Sequence, residues 1–378
     1  MTTPVDLPAG GAAGTTTTER TGERMVLPGQ SPAGEYILSV LLKRTFDIAA
    51  GRECTRAQED EPLNGGDVYW DHPMNSSVRF ESDLIPFKLN TDVVVNGTTY
   101  APGGAPTRSC KVALQIGTRR RELLVVGDRQ ARYAGGAPPV FTDPEPFTTM
   151  PIRYERAYGG VDVYSDLRVP YPFPKNPVGC GFVVRNVAKA IDGLALPNIE
   201  SPRSSVTPET LCLEEYAQWE SRPVPAGFGW FAKTWMPRAA LAGVLPRDRA
   251  VEQELRHAYA ELVPAEHRQA YLANGFRDMD FTFFNGAPPG YALPYLTGGE
   301  VVSTENLSPA GRLDFLLPKA AVRIGIDIGR GIEEPEVVLQ TVMIRMDDAK
   351  VDLVWRAAVP YEGPDWLPQM QKLDVLVS

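Results

Sequence analysis

The order of hydrophobic and polar residues predicts strands near both ends of the chain. Residues 36–48 form a nearly continuous apolar and aromatic run, which is typical of a strand in the centre of a sheet. Three further apolar runs, at residues 321–328, 337–346 and 351–359, are separated by turn-forming residues and predict a C-terminal β-meander. The chain is therefore expected to be mainly β.

Two β-hairpins are predicted between these end regions. The pair Asn96-Gly97 lies between β-forming residues, which is the signature of a type I′ turn, and it predicts pairing of residues 93–95 with residues 98–100. The second hairpin is expected at residues 112–126, with its tip at residues 117–121. The three arginines of this tip are expected to be solvated and to discourage edge-to-edge pairing of strands.

One segment shows the periodicity of an amphipathic helix. In residues 247–262 the apolar side chains fall on one face, and Glu252 precedes Arg256 by four residues, a spacing that favours an ion pair. A shorter helix is expected to follow and to end at Asn274-Gly275. Together they predict a helical insert at about residues 246–275. The apolar positions of the first helix are Val251, Leu255, Ala258 and Leu262.

Composition divides the chain into a tail and a folded region. Residues 1–33 are rich in Thr, Gly, Ala and Pro and offer little to bury, so they are expected to form a flexible tail. The 34 Gly and 35 Pro residues favour a turn-rich fold but stay below the fraction, about 25%, that is typical of disorder. Residues 34–378 are expected to form a single α+β domain that is predominantly β, with antiparallel hairpins and a meander, a helical insert and a sandwich-like core.

Net charge and the lack of visible targeting signals limit the classes of partner and the cellular compartment that we expect. The net charge is −9, and no block rich in Lys and Arg is longer than Arg119–Arg121, so nucleic acid and anionic membranes are not expected as partners. No signal peptide and no run of about 18 apolar residues is visible, which favours a cytoplasmic protein without membrane insertion. The cysteines form no Cys-x-x-Cys pair, so reduced thiols are expected.

Polar residues are concentrated in loop-forming sequence at the centre of the chain. In the segment 150–160, Arg153, Glu155 and Arg156 lie among tyrosines, and the Gly and Pro residues that follow prevent a long regular helix. Because an unpaired buried charge is costly, such groups must satisfy one another or contact a ligand. An internal polar brace and a partner-binding surface both remain open. The candidate residues of this polar centre are Arg153, Glu155, Arg156, Asn176, Asn198, Glu200, Asp280, Asn285 and Glu300.

The sequence offers few candidates for catalysis. It contains no Gly-x-Ser-x-Gly elbow, no Walker phosphate loop and no His-Glu-x-x-His motif, and its 3 histidines leave most acid-base and metal schemes without their usual residues. No catalytic residue, metal or cofactor is therefore expected. Cys180, between two glycines, is interpreted as a small buried thiol. The alternative is a carbohydrate-active hydrolase that uses a carboxylate pair, with tryptophans as sugar platforms. Its candidate carboxylates are Glu155, Glu200, Asp278, Asp280 and Glu300.

Many short motifs follow one another in a fixed order between Tyr36 and Arg356. They are Phe87-Lys88, Thr91-Asp-Val-Val-Val-Asn-Gly97, Ala101-Pro-Gly-Gly104, Gly127-Asp-Arg129, Met150-Pro, Tyr154-Glu-Arg-Ala-Tyr-Gly-Gly160, Asn176-Pro-Val-Gly-Cys-Gly-Phe182, Leu196-Pro-Asn-Ile-Glu200, Phe283-Phe-Asn285, Gly298-Gly-Glu300 and Asn306-Leu. Together they resemble the motifs of a bacterial adaptor family that was once known only as a domain of unknown function. Genes of that family commonly lie beside type VI secretion spike (VgrG), tip (PAAR) and toxin genes. The chain departs from the family in two places: Leu89-Asn90 replaces the usual Pro-Ala, and the segment 247–275 is longer and more helical.

The resemblance implies a function that the residues alone do not. A member of that family would be a non-enzymatic cytoplasmic chaperone or adaptor. It would bind an effector toxin, or the PAAR-domain protein that carries it, and would promote loading onto the VgrG spike. It would need no cofactor.

Overall fold

Strands dominate the secondary structure. The computed structural model describes residues 23–378 apart from residues 136, 167, 212–215, 262, 266–267, 270–271 and 273–276. The strands are β1 (Glu23–Gln30), β2 (Tyr36–Asp47), β3 (Thr55–Arg56), β4 (Val68–Tyr69), β5 (Val78–Phe80), β6 (Thr91–Asn96), β7 (Thr98–Tyr100), β8 (Ser109–Ile116), β9 (Arg119–Val126), β10 (Ala131–Ala134), β11 (Ala137–Phe141), β12 (Thr149–Pro151), β13 (Tyr158–Gly159), β14 (Val161–Asp162), β15 (Tyr171–Pro172), β16 (Cys180–Gly181), β17 (Ile199–Glu200), β18 (Ala292–Leu293), β19 (Val301–Glu305), β20 (Arg312–Leu316), β21 (Ile324–Asp327), β22 (Val338–Arg345), β23 (Lys350–Pro360) and β24 (Asp374–Val377).

The helices are few and short. Six 3-10 turns are described, at Pro102–Gly104, Tyr154–Arg156, Tyr216–Ser221, Arg238–Leu241, Pro246–Asp248 and Phe281–Phe284. The α-helices are α1 (Ala188–Ile191), α2 (Pro208–Leu211), α3 (Arg249–Ala260) and α4 (Leu367–Met370). None of these helices has the length and apolar character that crossing a membrane requires.

Two larger sheets form the framework. The large sheet has seven strands in the order β1-β2-β23-β22-β6-β18, with β3 also paired to β2, and its pairs are antiparallel except for β22 with β6. The small sheet has five strands in the order β17-β9-β8-β19-β20, and all of its pairs are antiparallel. The other described strands form two-stranded pairs.

Both sheets contribute to one hydrophobic cluster, the main core. Leu38 and Val40 enter it from the large sheet, and Leu114 and Val302 enter it from the small sheet. Strand β2 lies between β1 and β23, so residues 37–43 are all buried, as its continuous apolar run predicts. The predicted fold class, α+β and predominantly β with antiparallel sheets and a sandwich-like core, is confirmed.

A second hydrophobic cluster lies under the central loops. It contains three aromatic rings, those of Tyr158, Phe173 and Phe182, together with Ile191 and Leu196. These loops therefore have a core of their own, and the central segment packs against it.

The hairpin predicted at Asn96-Gly97 is wrong. Strand β6 pairs with β22 and β18, whereas β7 pairs with β12. Gly97 does not have the positive φ that a type I′ turn requires. Its function is steric, since a Cβ atom at this position would lie 2.9 Å from the Cβ atom of Met346. The chain therefore leaves the large sheet at Gly97 instead of folding back on itself.

The second predicted hairpin is confirmed, but its turn is tighter than expected. Strands β8 and β9 pair along their whole length, with Ile116 opposite Arg119. The turn is therefore Gly117-Thr118, and Gly117 has a φ of 53°. The three arginines begin strand β9 instead of forming the tip.

The C-terminal meander is confirmed for two of its three strands. Strands β22 and β23 form an antiparallel hairpin, with Arg345 opposite Lys350. The run at residues 321–328 does form a strand, β21, but this strand pairs with β24, with Ile324 opposite Val377. Its place in the meander was therefore predicted wrongly, because an apolar run does not specify its partner.

The tail boundary predicted at residue 33 is also wrong. Residues 23–30 form β1, which pairs with β2 over its whole length. Most of its side chains are exposed or half-buried, so the strand is held by backbone hydrogen bonds and gives little hydrophobic signal. Pro28 is tolerated because β1 is an edge strand. Residues 1–22 lie outside the described residues.

The first predicted helix of the insert is present as α3, with Pro246–Asp248 as a 3-10 turn before it. Glu252 and Arg256 form the expected ion pair. The apolar face was predicted wrongly at Ala258, which is exposed, whereas Glu252 and Ala260 are buried. Leu262 and most of the second predicted helix lie outside the described residues.

Candidate functional site

The central segment, residues 150–160, joins the two hydrophobic clusters. The ring of Tyr154 packs edge-on against Trp235 in the main core, with the ring centres 5.2 Å apart. Four residues later, the ring of Tyr158 packs against Phe173 in the second cluster, at 5.1 Å. Both tyrosines are buried, whereas Glu155 and Arg156 between them are only half-buried. The tyrosines therefore fix this short turn and bring its charged residues to the surface.

Asn176 holds the turn from inside. Its side chain is fully buried, and its amide donates hydrogen bonds to the carbonyl oxygens of Tyr154, at 2.8 Å, and Tyr158, at 3.1 Å. Gly159 lies so close that a Cβ atom there would be 2.1 Å from the Asn176 carbonyl oxygen. Asn176 is therefore part of an internal brace.

Arg153 and Glu155 hold a neighbouring loop. The Glu155 carboxylate accepts hydrogen bonds from the backbone N–H and the hydroxyl of Ser77, each at 2.7 Å. The guanidinium of Arg153 lies 3.7 Å from the centre of the Trp70 ring. Burial lowers the pKa of Arg153 from its usual value, because it disfavours the charged form. Both residues thus tie the central segment to residues 70–77.

Arg156, Asn198 and Asp128 form a hydrogen-bonded chain that we call the rim network. Arg156 Nη1 donates to Asn198 Oδ1 at 3.0 Å, and Asn198 Nδ2 donates to Asp128 Oδ1 at 2.8 Å. Asn198 is buried, whereas the Arg156 and Asp128 side chains are 40% and 70% exposed. The network is therefore anchored at a buried amide and open to solvent at both charged ends.

Glu200 lies beside the rim network, on strand β17. Its carboxylate accepts hydrogen bonds from Arg129 Nη2, at 2.8 Å, and from the backbone N–H of Val206, at 3.1 Å. Burial raises the pKa of Glu200, and the attraction of Arg129 opposes that rise only in part. Glu200 is therefore a buried structural carboxylate that holds the start of the next loop.

Two open pockets lie at opposite ends of the pairing between β9 and β17. Because these strands are antiparallel, residues 195–198 come to lie near the end of β9 and residues 201–204 near its start. The pocket at the end of β9 has a volume of about 710 Å³ and both signs of charge, and we call it the mixed-charge pocket. It is lined by Asp128, Arg129, Gln130, Arg132, Thr142, Asp143, Glu145, Glu155, Arg156, Cys180, Ala195, Leu196 and Asn198.

The pocket at the start of β9 has a volume of about 770 Å³, and we call it the arginine cleft. Four arginines and a single carboxylate, Glu122, line it. Its lining residues are Arg119, Arg120, Arg121, Glu122, Ser201, Pro202, Arg203, Ser204, Val224, Pro225, Pro289, Gly290 and Tyr291.

The structure does not bring the other predicted residues into this site. Asp280 accepts hydrogen bonds from the backbone N–H of Thr282, at 2.9 Å, and from its hydroxyl, at 2.7 Å, and these bonds lower the pKa of Asp280. Glu300 accepts a hydrogen bond from the N–H of Thr297 at 2.9 Å. Each of these two carboxylates therefore stabilises its own turn.

Asn285 belongs to a buried charge cluster that the sequence analysis did not identify as a site. Its amide donates to Asp92 Oδ1 at 3.0 Å, and Lys88 Nζ donates to Asp92 Oδ2 at 2.7 Å. The backbone N–H groups of Gly286 and Ala287 donate to the same carboxylate. We call Lys88, Asp92 and Asn285 the closed cluster. The sequence did carry a signal for this cluster. Asp92 lies inside an apolar strand, and a buried charge requires partners.

The geometry gives little support to nucleophilic or carboxylate-pair catalysis. Cys180 lines the mixed-charge pocket, but burial raises its pKa to about 12, so the thiol stays protonated near neutral pH. Asp278 pairs with Arg249. None of the described residues that line the mixed-charge pocket is aromatic, so it lacks the sugar platform that the hydrolase alternative requires. Among the described residues, no group of three His, Cys, Asp or Glu side chains is placed to hold a metal ion.

The comparisons with known proteins identify a family but no activity. A family model described as "Uncharacterized protein conserved in bacteria (DUF2169)" matches residues 33–356, which include both sheets' main strands, the central segment and both pockets. No curated protein and no solved structure matches the chain.

Proposed function

We propose that this chain, which belongs to the DUF2169 family of bacterial proteins, is a non-enzymatic adaptor or chaperone of type VI secretion. It binds an effector toxin, or the PAAR-domain protein that carries the toxin, in the cytoplasm and promotes loading onto the VgrG spike. The identity of these partners comes from the motif resemblance described above. The surface we assign to binding is the edge of the small sheet, with the mixed-charge pocket and the rim network.

The observation that carries this proposal is the asymmetry of the rim network. Asn198 is buried and also donates to the carbonyl oxygen of Val126, at 3.0 Å, so the inner end of the network is fixed by the small sheet. Arg156 and Asp128 keep exposed fractions of 40% and 70%. Side chains that are already ordered lose less entropy when a partner binds, and paired charges of both signs favour one orientation of that partner. The arrangement therefore suits recognition of another protein.

The hydrolase alternative has one specific observation in its favour. Four carboxylates, those of Asp128, Asp143, Glu145 and Glu155, line the mixed-charge pocket. Glu155, however, is engaged by Ser77, and Asp128 is engaged by Asn198. Assaying the purified protein against a panel of oligosaccharides tests this alternative. Turnover that is lost in Glu155→Gln would establish hydrolysis and contradict the adaptor proposal.

The direct test is co-purification with defined partners. The chain is co-expressed with any toxin and any PAAR-domain protein whose genes lie beside its own, and size-exclusion chromatography measures whether they elute together. We expect a stable complex with one of them, and we expect Arg156→Glu to weaken it. Arg52→Glu is the matched control, because Arg52 is exposed and lies outside both pockets.

A second readout tests the loading step. Deleting the gene should abolish delivery of the neighbouring toxin while the secretion machinery still exports its other substrates. Normal delivery in the deletion strain, together with no complex on the column, would refute the proposal.

A further inference from the structure

The arginine cleft is a concentration of positive charge on an acidic protein. Its lining carries four arginines and one glutamate, a local excess of positive charge, whereas the whole chain carries a net charge of −9. Clefts lined by one sign of charge concentrate the electrostatic potential and attract groups of the opposite sign. The cleft therefore favours an anionic ligand.

Two of the four arginines are already engaged. Arg120 donates to Glu122, at 3.1 Å, and to Glu305, at 3.0 Å. Arg121 Nη1 donates to the carbonyl oxygen of Pro289 at 2.9 Å. These bonds hold the Arg120 and Arg121 side chains in place and tie the loop at residues 289–290 to strand β9.

The other two arginines have exposed side chains without an ion pair among the described residues. Arg119 begins strand β9, and Arg203 lies in the turn that follows β17. Pairing of β17 with β9 brings these two parts of the chain to the same cleft. Two guanidinium groups on separate elements suit two carboxylates that are spaced along an extended ligand, since each guanidinium can bind one carboxylate in a bidentate manner.

The remaining lining residues favour a polypeptide over other anions. Val224, which is 42% exposed, and Pro202 and Pro289, both also exposed, provide apolar contacts beside the charges. A nucleic acid would extend past the cleft over a protein whose net charge is −9, and the resulting repulsion would weaken its binding. The chain's own residues 1–22 are a poor occupant of the cleft. Their only acidic residues are Asp6 and Glu19, and Arg20 offsets one of them, so they carry too little negative charge to match the arginines.

We propose that the arginine cleft binds an acidic, extended peptide segment of the partner protein, with Arg119 and Arg203 as the residues that contact its carboxylates. This inference rests on the proposed function, because it identifies the part of the partner that the adaptor recognises. The binding is electrostatic and weakens as salt concentration rises.

The test uses a fluorescent peptide of alternating glutamate and proline residues, and fluorescence anisotropy measures its binding to the full chain. The peptide should bind, and a version with glutamine in place of glutamate should not. The double variant Arg119→Glu, Arg203→Glu should bind at least about tenfold more weakly at low salt. Arg52→Glu, Arg323→Glu, which changes the charge equally at exposed sites outside the cleft, should bind like the wild type. Unchanged melting temperatures would show that both variants are folded.

Three outcomes would overturn the cleft proposal: equal binding by the double variant, equal binding of the glutamine peptide, or tighter binding of a single-stranded DNA of the same charge. The last result would indicate nucleic acid as the ligand. If the double variant binds the partner toxin as tightly as the wild type does, the cleft assignment is refuted and the adaptor function still stands. A chain that binds the acidic peptide but neither the toxin nor the PAAR-domain protein would refute the adaptor function and keep the cleft.

Discussion

The closed cluster and the rim network are built from the same types of residue, a cation, a carboxylate and an asparagine, but burial gives them different roles. In the closed cluster, the Lys88 and Asp92 side chains are 3% and 0% exposed, and the Asp92 carboxylate also binds two backbone N–H groups. In the rim network, Arg156 and Asp128 are 40% and 70% exposed. A ligand could reach Asp92 only by breaking the fold, whereas it can reach Arg156 directly. Residue type therefore does not distinguish a brace from a binding surface.

The energetic consequences differ in the same way. Removal of one partner from a buried ion pair leaves an uncompensated charge in a medium of low polarity, which is strongly destabilising. Removal of one partner from an exposed pair exposes the other to water, which solvates it, so the loss is small. Stability measurements should thus separate the two clusters clearly.

The largest expected effect is that of Asp92→Ala, which leaves the Lys88 ammonium group buried without its carboxylate. We expect the free energy of unfolding to fall by about 3 to 5 kcal/mol, as measured by urea denaturation. The double variant Lys88→Met, Asp92→Leu removes both charges and should lose less than the single variant. A loss below about 1 kcal/mol for Asp92→Ala would show that the cluster is not a brace.

Asp162 is a second buried carboxylate, and the pH dependence of its contribution to stability tests the same distinction between buried and exposed charges. Burial alone would raise the pKa of Asp162, but hydrogen bonds from Ser165, Val184 and Tyr164 outweigh burial and hold the pKa below its usual 3.8. Since the folded-state pKa is depressed, the carboxylate contributes stability that is fully present above the unfolded-state value and is lost as the pH falls through the folded-state value.

Asp162→Asn should therefore cost about 2 kcal/mol near neutral pH. The difference between wild type and variant should shrink as the pH falls below the unfolded-state value. Urea denaturation at several pH values measures this difference. Asp143→Asn is the control, because the Asp143 side chain is 94% exposed and should show no such dependence. A difference for Asp162→Asn that stayed constant with pH would contradict the assigned hydrogen bonds.

The smallest expected effect on stability is that of Arg156→Ala. The side chain is partly exposed, and it bonds to Asn198 at 3.0 Å and to Asp128 at 3.6 Å, so we expect a loss of about 1 kcal/mol or less. A loss as large as that of Asp92→Ala, in the same urea assay, would make the rim network a brace and remove it from the proposed interface.

Local sequence signals predicted strands better than they predicted partners. The apolar run of β2 correctly predicted a central strand, and the apolar residues on either side of Gly117 correctly predicted the hairpin of β8 and β9. Asn96-Gly97 carries an equally strong hairpin signal, yet Asn96 uses its side chain to donate to the Arg79 carbonyl oxygen, and Gly97 makes room for Met346. Both roles depend on residues far away in the sequence, which a local pattern does not contain.

The same holds for the candidate site: the sequence indicated some of its residues but not how distant residues come together. The candidate residues of the polar centre included Arg156 and Asn198, and the structure places these two side chains in contact. Asp128 was not selected, because its hydrogen bond with Asn198 joins residues 70 positions apart in the sequence, and a local pattern does not contain such a contact. Arg203 and Arg119 line the same cleft because β17 pairs with β9, and this two-residue pairing leaves no periodic signal in the sequence.

The most direct test of the account is the affinity of Arg156→Glu for the partner identified by co-purification, measured by calorimetry beside the melting temperature of the same sample. The account predicts that the affinity falls by at least about tenfold, while the melting temperature stays close to that of the wild type. Unchanged affinity, or a fall in melting temperature comparable to that of Asp92→Ala, would contradict it.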